Sequence, residues 1–215
     1  MNVILFGAPG AGKGTQGELL AAGRGLERLS TGDLLRDAVR RKTPLGLRAQ
    51  AVMAAGELVP DDVILGIVRD FMAERPTAQG FIFDGFPRTV AQAEALDKLL
   101  RELDRPLDAV VVLEVADDEL VRRLTGRRSC SNCGAIYHMV FEPPAEPGVC
   151  DRCGGELTQR ADDQEDTVRR RLEVYREQTA QVLAHYARSD APVHELDGAR
   201  PPEVVQADML RTLGL

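Results

Sequence analysis

Short apolar runs alternate along the chain with segments that have the spacing of amphipathic helices. Five runs indicate strands, at 3–6, 28–30, 81–83, 110–113 and 193–196. Helical patterns are clearest at 61–74, 89–104 and 164–187. Uninterrupted apolar runs of this length are typical of parallel strands that are covered on both faces. The alternation predicts an α/β fold with a doubly wound, five-stranded parallel sheet, which binds ligands at the carboxyl ends of its strands.

Two segments interrupt this alternation. Residues 30–59 contain two short helical patterns, and residues 126–163 contain every cysteine together with a proline-rich stretch. Both segments have the character of insertions that protrude from the sheet. We therefore expect a core formed by residues 1–29, 60–125 and 164–215, with one insertion at each interrupting segment.

Composition and charge narrow the functional classes. The chain has 215 residues, of which 44% are hydrophobic and 28% are charged, the balance of an ordinary globular protein. Its net charge of -7 argues against a general nucleic-acid-binding protein, which is usually basic. No apolar run approaches the ~20 residues that a membrane helix needs, and the first residues lack the pattern of a signal peptide. We expect a cytoplasmic protein with no membrane partner.

A glycine-rich segment directly follows the first strand. It spans Gly7–Thr15 with the sequence GAPGAGKGT and opens a helical pattern, which is the context of a phosphate-binding loop. Glycines let backbone N–H groups converge on phosphate oxygens, and the helix N-terminus favours negative charge. We expect Lys13 to reach the β- and γ-phosphates and Thr15 to offer a hydroxyl. Gly14 departs from the strict pattern, which has Ser or Thr directly after the lysine, and the alternative is a simple glycine-rich turn.

The strand at 81–83 is followed by a carboxylate, Asp84. A carboxylate in this position can hold Mg²⁺, usually through water. An aspartate after a strand is also a common turn or cap residue, so Asp84 gains meaning only beside the phosphate loop. Together the two features predict a nucleotide site, with Mg²⁺ as the ion that accompanies ATP.

All four cysteines occur in two Cys-x-x-Cys-Gly turns. Cys130 and Cys133 form the first pair, and Cys150 and Cys153 form the second. Four thiolates at this spacing are typical of a structural Zn²⁺ site, which leaves no ligand position open for catalysis. A redox dithiol, a disulfide pair and an iron–sulfur cluster are the alternatives. His138 is not needed as a ligand, because four sulfurs already complete the shell.

Two helical segments carry polar residues at or beside their apolar faces. In 89–104, Gln92 projects onto the apolar face and needs a partner. Its amide can pair with an adenine edge, and the alternative is a hydrogen bond to local backbone. In 164–187, Arg171 flanks the apolar stripe, whereas Arg170 points away from it and is expected to be solvated.

These motifs resemble those of the adenylate kinase family. The matching stretches keep the order and spacing of the family along nearly the whole chain. They are GAPGAGKGT at 7–15, STGDLLR at 30–36, GELVPD at 56–61, DGFPRT at 84–89, GRR at 126–128 and RADDQ at 160–164. The resemblance implies the long-lid, zinc-binding bacterial type: a P-loop NTPase-like core, an AMP-binding insertion at 30–59 and a zinc-binding lid at 126–163.

The resemblance also implies the residues that contact each ligand. For ATP they are Gly10, Ala11, Gly12, Lys13, Gly14, Thr15, Arg123, Arg127, Ile136, Tyr137 and Arg200. For AMP they are Thr31, Arg36, Glu57, Leu58, Val59, Gly85, Phe86, Pro87, Arg88, Gln92, Arg160 and Arg171. The implied catalytic set is Lys13, Asp84, Arg88, Arg123, Arg160 and Arg171.

The implied reaction is the Mg²⁺-dependent, reversible transfer of a phosphoryl group from ATP to AMP, which yields two ADP. Such transfers depend mainly on positioning and on stabilisation of charge. We expect Lys13 and the loop amides to hold the donor while arginines surround the moving phosphoryl group. Closure of both insertions would keep water from competing with AMP. We expect ATP, AMP and ADP as the partners, and a monomer.

Three other functions fit parts of the sequence. A kinase for UMP or CMP would share the core, but Thr31, Gln92 and the long lid favour AMP. A zinc-ribbon nucleic-acid-binding module on an inactive core is opposed by Lys13 and Asp84. A nucleotide-gated switch would not need an AMP-type insertion. GTP is an alternative donor to ATP.

Overall fold

The structure, a computed structural model, describes all 215 residues. Its strands are β1 Asn2–Phe6, β2 Leu26–Ser30, β3 Gly80–Asp84, β4 Ala109–Glu114, β5 Arg127–Cys130, β6 Ile136–His138, β7 Leu157–Thr158 and β8 Val193–Asp197. Five of them form one sheet in the order β2-β3-β1-β4-β8, and every neighbouring pair is parallel. The predicted α/β class and five-stranded parallel sheet are confirmed.

Helices connect these strands. They are α1 Lys13–Ala21, α2 Thr31–Arg40, α3 Pro44–Ala54, α4 Asp61–Ala73, α5 Val90–Glu102, α6 Asp117–Thr125, α7 Glu165–Val174, α8 Gln181–Tyr186 and α9 Pro202–Leu213. The helical pattern predicted at 164–187 is divided, because a π-helical turn at Tyr175–Thr179 separates α7 from α8. The backbone N–H of Ala180 donates to the carbonyl of Tyr175, five residues back, at 2.8 Å. None of these helices is both long enough and apolar enough to cross a bilayer.

Short polar side chains begin several of the helices. The hydroxyl of Ser30 accepts from the backbone N–H of Asp33 and starts α2, and Thr43 does the same for α3 through Gly46. Thr89 accepts from the N–H of Gln92 and starts α5. Such caps satisfy backbone donors that a helix leaves free at its N-terminus.

The central sheet is covered on both faces, as the uninterrupted apolar strands predict. One face packs Ile4, Phe83 and Val112 against α4, α5 and α8. The other face packs Leu5 and Val111 against α1, α6, α7 and α9. The carboxyl ends of β1 and β3 therefore open onto the loops that carry the candidate chemistry.

Two segments stand apart from this sheet. α2 and α3 follow β2 and pack on each other before the chain returns through α4. Strands β5, β6 and β7 form a small antiparallel sheet in the order β6-β5-β7, which we call the cysteine sheet. The guanidinium of Arg40, at the end of α2, donates to the carbonyl of Asn132 at 3.1 Å, so the two segments touch.

Candidate active site

The glycine-rich segment forms the turn between β1 and α1. Gly10 and Gly12 have φ values of 88° and 97°, a backbone conformation that side chains with a Cβ rarely adopt. α1 begins at Lys13, whose Nζ donates to the carbonyls of Gly7 at 2.8 Å and Ala8 at 2.9 Å. The lysine is thereby folded back over its own loop. This is the strand–turn–helix context that a phosphate-binding loop requires.

The side chain of Lys13 lies among other positive charges. Burial lowers the pKa of Lys13 to about 8, and Arg88, Arg171 and Arg127 act in the same direction. Asp84 is the neighbouring charge that opposes this shift. A lysine in such surroundings holds its proton most firmly when negative charge arrives beside it.

Arginines that lie far apart in the sequence meet at the same place. Burial lowers the pKa of Arg88 to about 10, with a further contribution from Arg171. Burial also lowers the pKa of Arg160 to about 9, with further contributions from Arg36 and Arg127. So many converging cations form a site for a group with several negative charges, such as a polyphosphate.

Two aspartates hold part of this cluster in place. The side chain of Asp163 has no exposed surface and accepts from Arg127 Nε at 2.8 Å and Nη2 at 2.6 Å. The Nη1 of Arg171 lies 3.1 Å from carboxylate oxygens of both Asp162 and Asp163. These contacts fix the start of α7 against the first residue of the cysteine sheet. The side chain of Arg171, which flanks the apolar stripe, is only 16% exposed.

Asp84 also has a cationic partner, which the sequence analysis did not single out. Its Oδ2 accepts from Nη1 of Arg28 at 2.7 Å, and Nη2 of the same guanidinium donates to Asp33 Oδ2 at 2.7 Å. Burial opposes ionisation of Asp33, yet Arg36 and Arg28 hold the pKa of Asp33 well below its usual range. Burial opposes the charge of Arg28, but Asp84 and Asp33 raise the pKa of Arg28 overall. Asp33 is therefore held in its charged form.

The residues implied for AMP surround the turn after β3. The Thr31 hydroxyl donates to the carbonyl of Gly85 at 2.9 Å, and Arg88 Nε donates to the same oxygen at 2.8 Å. The Gln92 amide is buried, as predicted. Its oxygen accepts from the N–H of Arg88 at 2.8 Å, and its nitrogen donates to Asp61 at 2.6 Å. The bond to Arg88 is the hydrogen bond to local backbone that was the alternative to adenine recognition. The bond to Asp61 joins Gln92 to an acidic side chain on α4.

Other residues implied for AMP have mixed surroundings. Arg36 donates to Asp33 at 2.6 Å. Val59 and Phe86 are buried in the core, and Pro87 is buried as well, whereas Leu58 is half-buried. Glu57 accepts from Nε of Arg170 at 2.7 Å. The side chain of Arg170 is 40% exposed, as expected for a solvated helix face, and it also bridges from α7 to the loop after α3 and pairs with Glu173 at 2.6 Å.

Two arginines that the resemblance implies for ATP form ion pairs away from the positive charges around Lys13. Arg123 pairs with Glu119 one turn earlier in α6, at 2.9 Å, and its Nη1 donates to the carbonyl of Gly198 at 2.9 Å. Arg200 is half exposed and pairs with Asp208 of α9 at 2.6 Å. The contact of Arg123 joins α6 to the loop after β8, and that of Arg200 joins the same loop to α9. Thr15 is exposed at the start of α1.

The four cysteines converge as their spacing predicts. Their sulfur atoms all lie within 4.8 Å of one another, with Cys130 and Cys153 at 3.5 Å and Cys133 and Cys150 at 3.6 Å. Four sulfurs placed tetrahedrally about Zn²⁺ would stand ~3.8 Å apart, since Zn–S bonds are ~2.3 Å. The cluster therefore fits a tetrahedral ion. His138 lies apart from it and accepts from the N–H groups of Val140 and Phe141.

Tyr137 belongs to this cluster rather than to the surface. Its side chain is buried, with its hydroxyl 3.5 Å from the sulfur of Cys150. The same hydroxyl accepts from the N–H of Asp151 at 2.9 Å. Its hydrogen bond lowers the pKa of Cys150 to about 6. The neighbouring Ile136, by contrast, is exposed.

Sequence reasoning missed three residues of this site. Arg28, Asp61 and Asp163 each hold a predicted residue through a side-chain hydrogen bond. Arg28 gave a weak signal, because a charged residue interrupts the apolar character of β2. Asp61 and Asp163 stand at helix starts, where an aspartate normally needs no other explanation.

Comparisons with known proteins point to one family. The family model described as adenylate kinase matches residues 5–191. The adenylate kinase of a Geobacillus species is 52% identical over 214 residues, which cover 100% of this chain and 99% of the relative. That of Bacillus subtilis is 50% identical over 214 residues, covering 100% and 98%. That of Archaeoglobus fulgidus is 49% identical over 205 residues, covering 95% and 94%.

The matched ranges include the phosphate loop, the arginines that converge near Lys13 and all four cysteines. A family match of this extent, together with relatives about half identical over nearly their full lengths, leaves one conclusion. The chain belongs to the adenylate kinase family.

Proposed function

We propose that this protein is an adenylate kinase, which transfers the γ-phosphoryl group of ATP reversibly to AMP and yields two ADP. The observation that carries this proposal is the convergence of Arg88, Arg160 and Arg171 with Lys13 beside the phosphate loop. Burying this many cations together is costly unless anionic groups compensate them. Two nucleotides that meet at a phosphoryl group supply that compensation.

The donor side is assigned to the phosphate loop. The residues are Gly10, Ala11, Gly12, Lys13, Gly14 and Thr15, whose N–H groups and lysine would hold the β- and γ-phosphates of ATP. Arg127 adds positive charge near Lys13. Arg123 joins α6 to the loop after β8, and Arg200 joins that loop to α9, which suits both to the nucleoside end of ATP. Ile136 would cover that nucleoside from the cysteine sheet.

The acceptor side is assigned to α2 and the turn after β3. Thr31, Arg36, Gly85 and Arg88 would hold AMP, with Glu57, Leu58, Val59, Phe86 and Pro87 shaping the pocket. Gln92 would read the adenine edge after exchanging its bond to Asp61 for one to the base. Arg160 and Arg171 are assigned to the phosphate groups of both nucleotides.

The chemical step needs charge stabilisation more than covalent help. Lys13, Arg88, Arg160 and Arg171, with Arg123 more distant, would offset the charge that spreads over the moving phosphoryl group. Mg²⁺ bound with ATP supplies further positive charge at the phosphates. Asp84 fits this ion, because its carboxylate lies at the carboxyl end of β3 beside Lys13. The proposal includes no general base.

The cysteine sheet is proposed to hold a structural Zn²⁺. Cys130, Cys133, Cys150 and Cys153 would bind it, and the ion would fix the two turns of a segment whose apolar core is only five residues. Residues 126–163, which include the cysteine sheet, are proposed as the lid. Residues 30–59 are proposed as the AMP-binding segment. Residues 1–29, 60–125 and 164–215 would form the core, and closure of both segments would exclude water.

A coupled assay for ADP formation tests this function. Purified protein that contains zinc is supplied with Mg²⁺, ATP and one of AMP, UMP, CMP or GMP, and then with GTP in place of ATP. We expect turnover with ATP and AMP that exceeds every other pair. Turnover of ATP with UMP or CMP, but not with AMP, would identify the protein as a different nucleoside monophosphate kinase. Tight, salt-sensitive DNA binding without turnover would support the zinc-ribbon alternative. We propose a monomeric, cytoplasmic enzyme whose partners are ATP, AMP and ADP.

A further inference from the structure

One guanidinium connects two carboxylates at the edge of the phosphate site. Arg28 lies on β2 and donates through separate nitrogens to Asp84 and Asp33, each at 2.7 Å. Glu18 of α1 lies 3.4 Å from the same group. The side chain of Arg28 is 18% exposed and that of Asp84 is 10% exposed, so the contact is largely shielded from solvent. Screening by solvent is correspondingly weak here.

The two carboxylates come from elements that perform different tasks. Asp84 ends β3 beside the phosphate loop, and Asp33 stands in the first turn of α2. Two unpaired carboxylates this close would repel each other and would attract a divalent cation. The guanidinium supplies one positive charge to the pair, and its planar fork fixes the direction of both acceptor oxygens.

Missing side chains on α1 make room for this arrangement. A Cβ at Gly17 would stand 2.9 Å from Cδ of Arg28, and a Cβ at Gly14 would stand 3.5 Å from its Nη1. The stem of Arg28 therefore passes directly over Gly17. A substitution at Gly17 displaces the arginine without changing any charge.

We propose that Arg28 is a positioning residue that acts as a built-in counter-cation for Asp84 and Asp33. It orients both carboxylates and offsets their charge, so that a divalent cation binds firmly only together with nucleotide phosphates and not ahead of them. This inference rests on the proposed function, because it concerns the ion that accompanies ATP. Its test uses the metal alone, and so it stands apart from any measurement of turnover.

The test is titration of the protein with Mn²⁺ alone, read from the paramagnetic resonance signal of free Mn²⁺, in the absence of nucleotide. We expect Arg28→Gln to tighten Mn²⁺ binding by at least about tenfold, because removing a unit charge about 6 Å from a divalent ion has this effect even in a water-like dielectric and a larger one where solvent screening is weak. Arg28→Lys keeps the charge and should stay within about threefold of the parent. Arg24→Gln is the matched control, because Arg24 donates only to main-chain carbonyls.

Equal or weaker Mn²⁺ binding by folded Arg28→Gln would overturn the proposal, as would tightening of the same size in Arg24→Gln. If Arg28→Gln does not fold, Gly17→Ala decides, since alanine favours the helix and moves the arginine away. Unchanged Mn²⁺ affinity in Gly17→Ala would then overturn the proposal. A parent that forms no ADP would instead count against the proposed function and leave the metal titration intact.

Discussion

Individual side chains in this protein owe their properties to neighbours that are distant in sequence. Gln92 was predicted to need a partner, and its position on α5 follows from helical periodicity. The identity of that partner, Asp61, depends on how α4 packs on α5, which no local pattern encodes. The same holds for Arg170, whose helix face is predictable but whose bond to Glu57 crosses between elements.

Lys13 leads to a prediction about pH. Burial holds its pKa at about 8, so its charged form predominates below that pH and is lost as the pH rises through it. We expect the affinity for ATP to be constant below pH 8 and to fall above it, at most about tenfold per pH unit. Calorimetric titration of the protein with ATP from pH 6.5 to 9.5 measures this dependence.

Lys13→Arg is the control for that titration, because arginine keeps its charge throughout the range. The fall above pH 8 should disappear in this variant, whatever its absolute affinity. An affinity of the parent that stays constant to pH 9.5 would contradict the assignment of the titration to Lys13.

Arg88 leads to a prediction about catalysis. Its guanidinium is buried beside Lys13 and Arg171, where it would meet the phosphoryl group in transit. Arg88→Ala should lower kcat by ~10²–10³, the usual cost of removing one preorganised donor to a transition state. Steady-state kinetics with both nucleotides varied give kcat and each KM.

Arg169→Ala is the matched control, since Arg169 pairs only with Glu165 on an exposed surface of α7. Its kcat should stay within about twofold of the parent. A change in Arg88→Ala that is confined to KM would contradict a role in the transition state.

At the scale of elements, the strands were the most predictable feature. The interiors of β1, β3 and β4 are uninterrupted apolar runs because both faces of the sheet are covered, and these runs in the sequence match the strands closely. The π-helical turn was not predictable, because the apolar stripe of 164–187 continues through it. Its register shift satisfies packing on the sheet and leaves no trace in the local sequence.

One contact between elements joins the cysteine sheet to α7. Asp163 is fully buried and holds Arg127 through two hydrogen bonds, with Arg171 at 3.1 Å. Asp163→Asn should lower the free energy of unfolding by about 3–5 kcal/mol, because it leaves two buried guanidiniums poorly compensated. Urea unfolding followed by circular dichroism measures the change.

Glu165→Gln provides the comparison for that variant. It removes a carboxylate two residues away whose ion pair with Arg169 is exposed, so the cost should be at most ~1 kcal/mol. Equal decreases in the free energy of unfolding in the two variants would show that the buried ion pairs of Asp163 stabilise the fold no more than an exposed pair does.

At the scale of the whole molecule, the central sheet and the cysteine sheet differ in how they are stabilised: the first by large apolar cores, the second, as proposed, by a bound Zn²⁺. The central sheet has an apolar core on each face, whereas the core of the cysteine sheet consists of Cys130, Ala135, Tyr137, Cys150 and Leu157. The paired spacing of the cysteines predicted their convergence. The hydrogen bond between Tyr137 and Cys150 was not predictable, because it depends on the pairing of β6 with β5.

Metal removal tests whether the proposed Zn²⁺ stabilises the cysteine sheet. Chelation that is verified by metal analysis should lower Tm by at least ~5 °C, since a metal that binds only the folded state contributes its binding energy to folding. Differential scanning calorimetry before chelation, after chelation and after return of Zn²⁺ measures the change. An identical Tm in metal-free protein would refute a structural role for the ion.

Tyr137→Phe refines this measurement. Loss of its hydroxyl removes a hydrogen bond next to the Cys150 sulfur, and outer-shell partners of this kind typically contribute about 10–100-fold to metal affinity. Competition with a chromophoric chelator should show weaker retention in this variant, while Tyr175→Phe, remote from the cysteines, should match the parent.

The position of β8 in the sheet sets an order for biosynthesis. β8 follows all the other strands in the sequence and pairs only with β4, so the parallel sheet gains that edge only after residues 193–197 have left the ribosome. The cysteine sheet is complete by Thr158 and draws on no later strand. The four cysteines can therefore converge on the proposed ion before β8 has been synthesised.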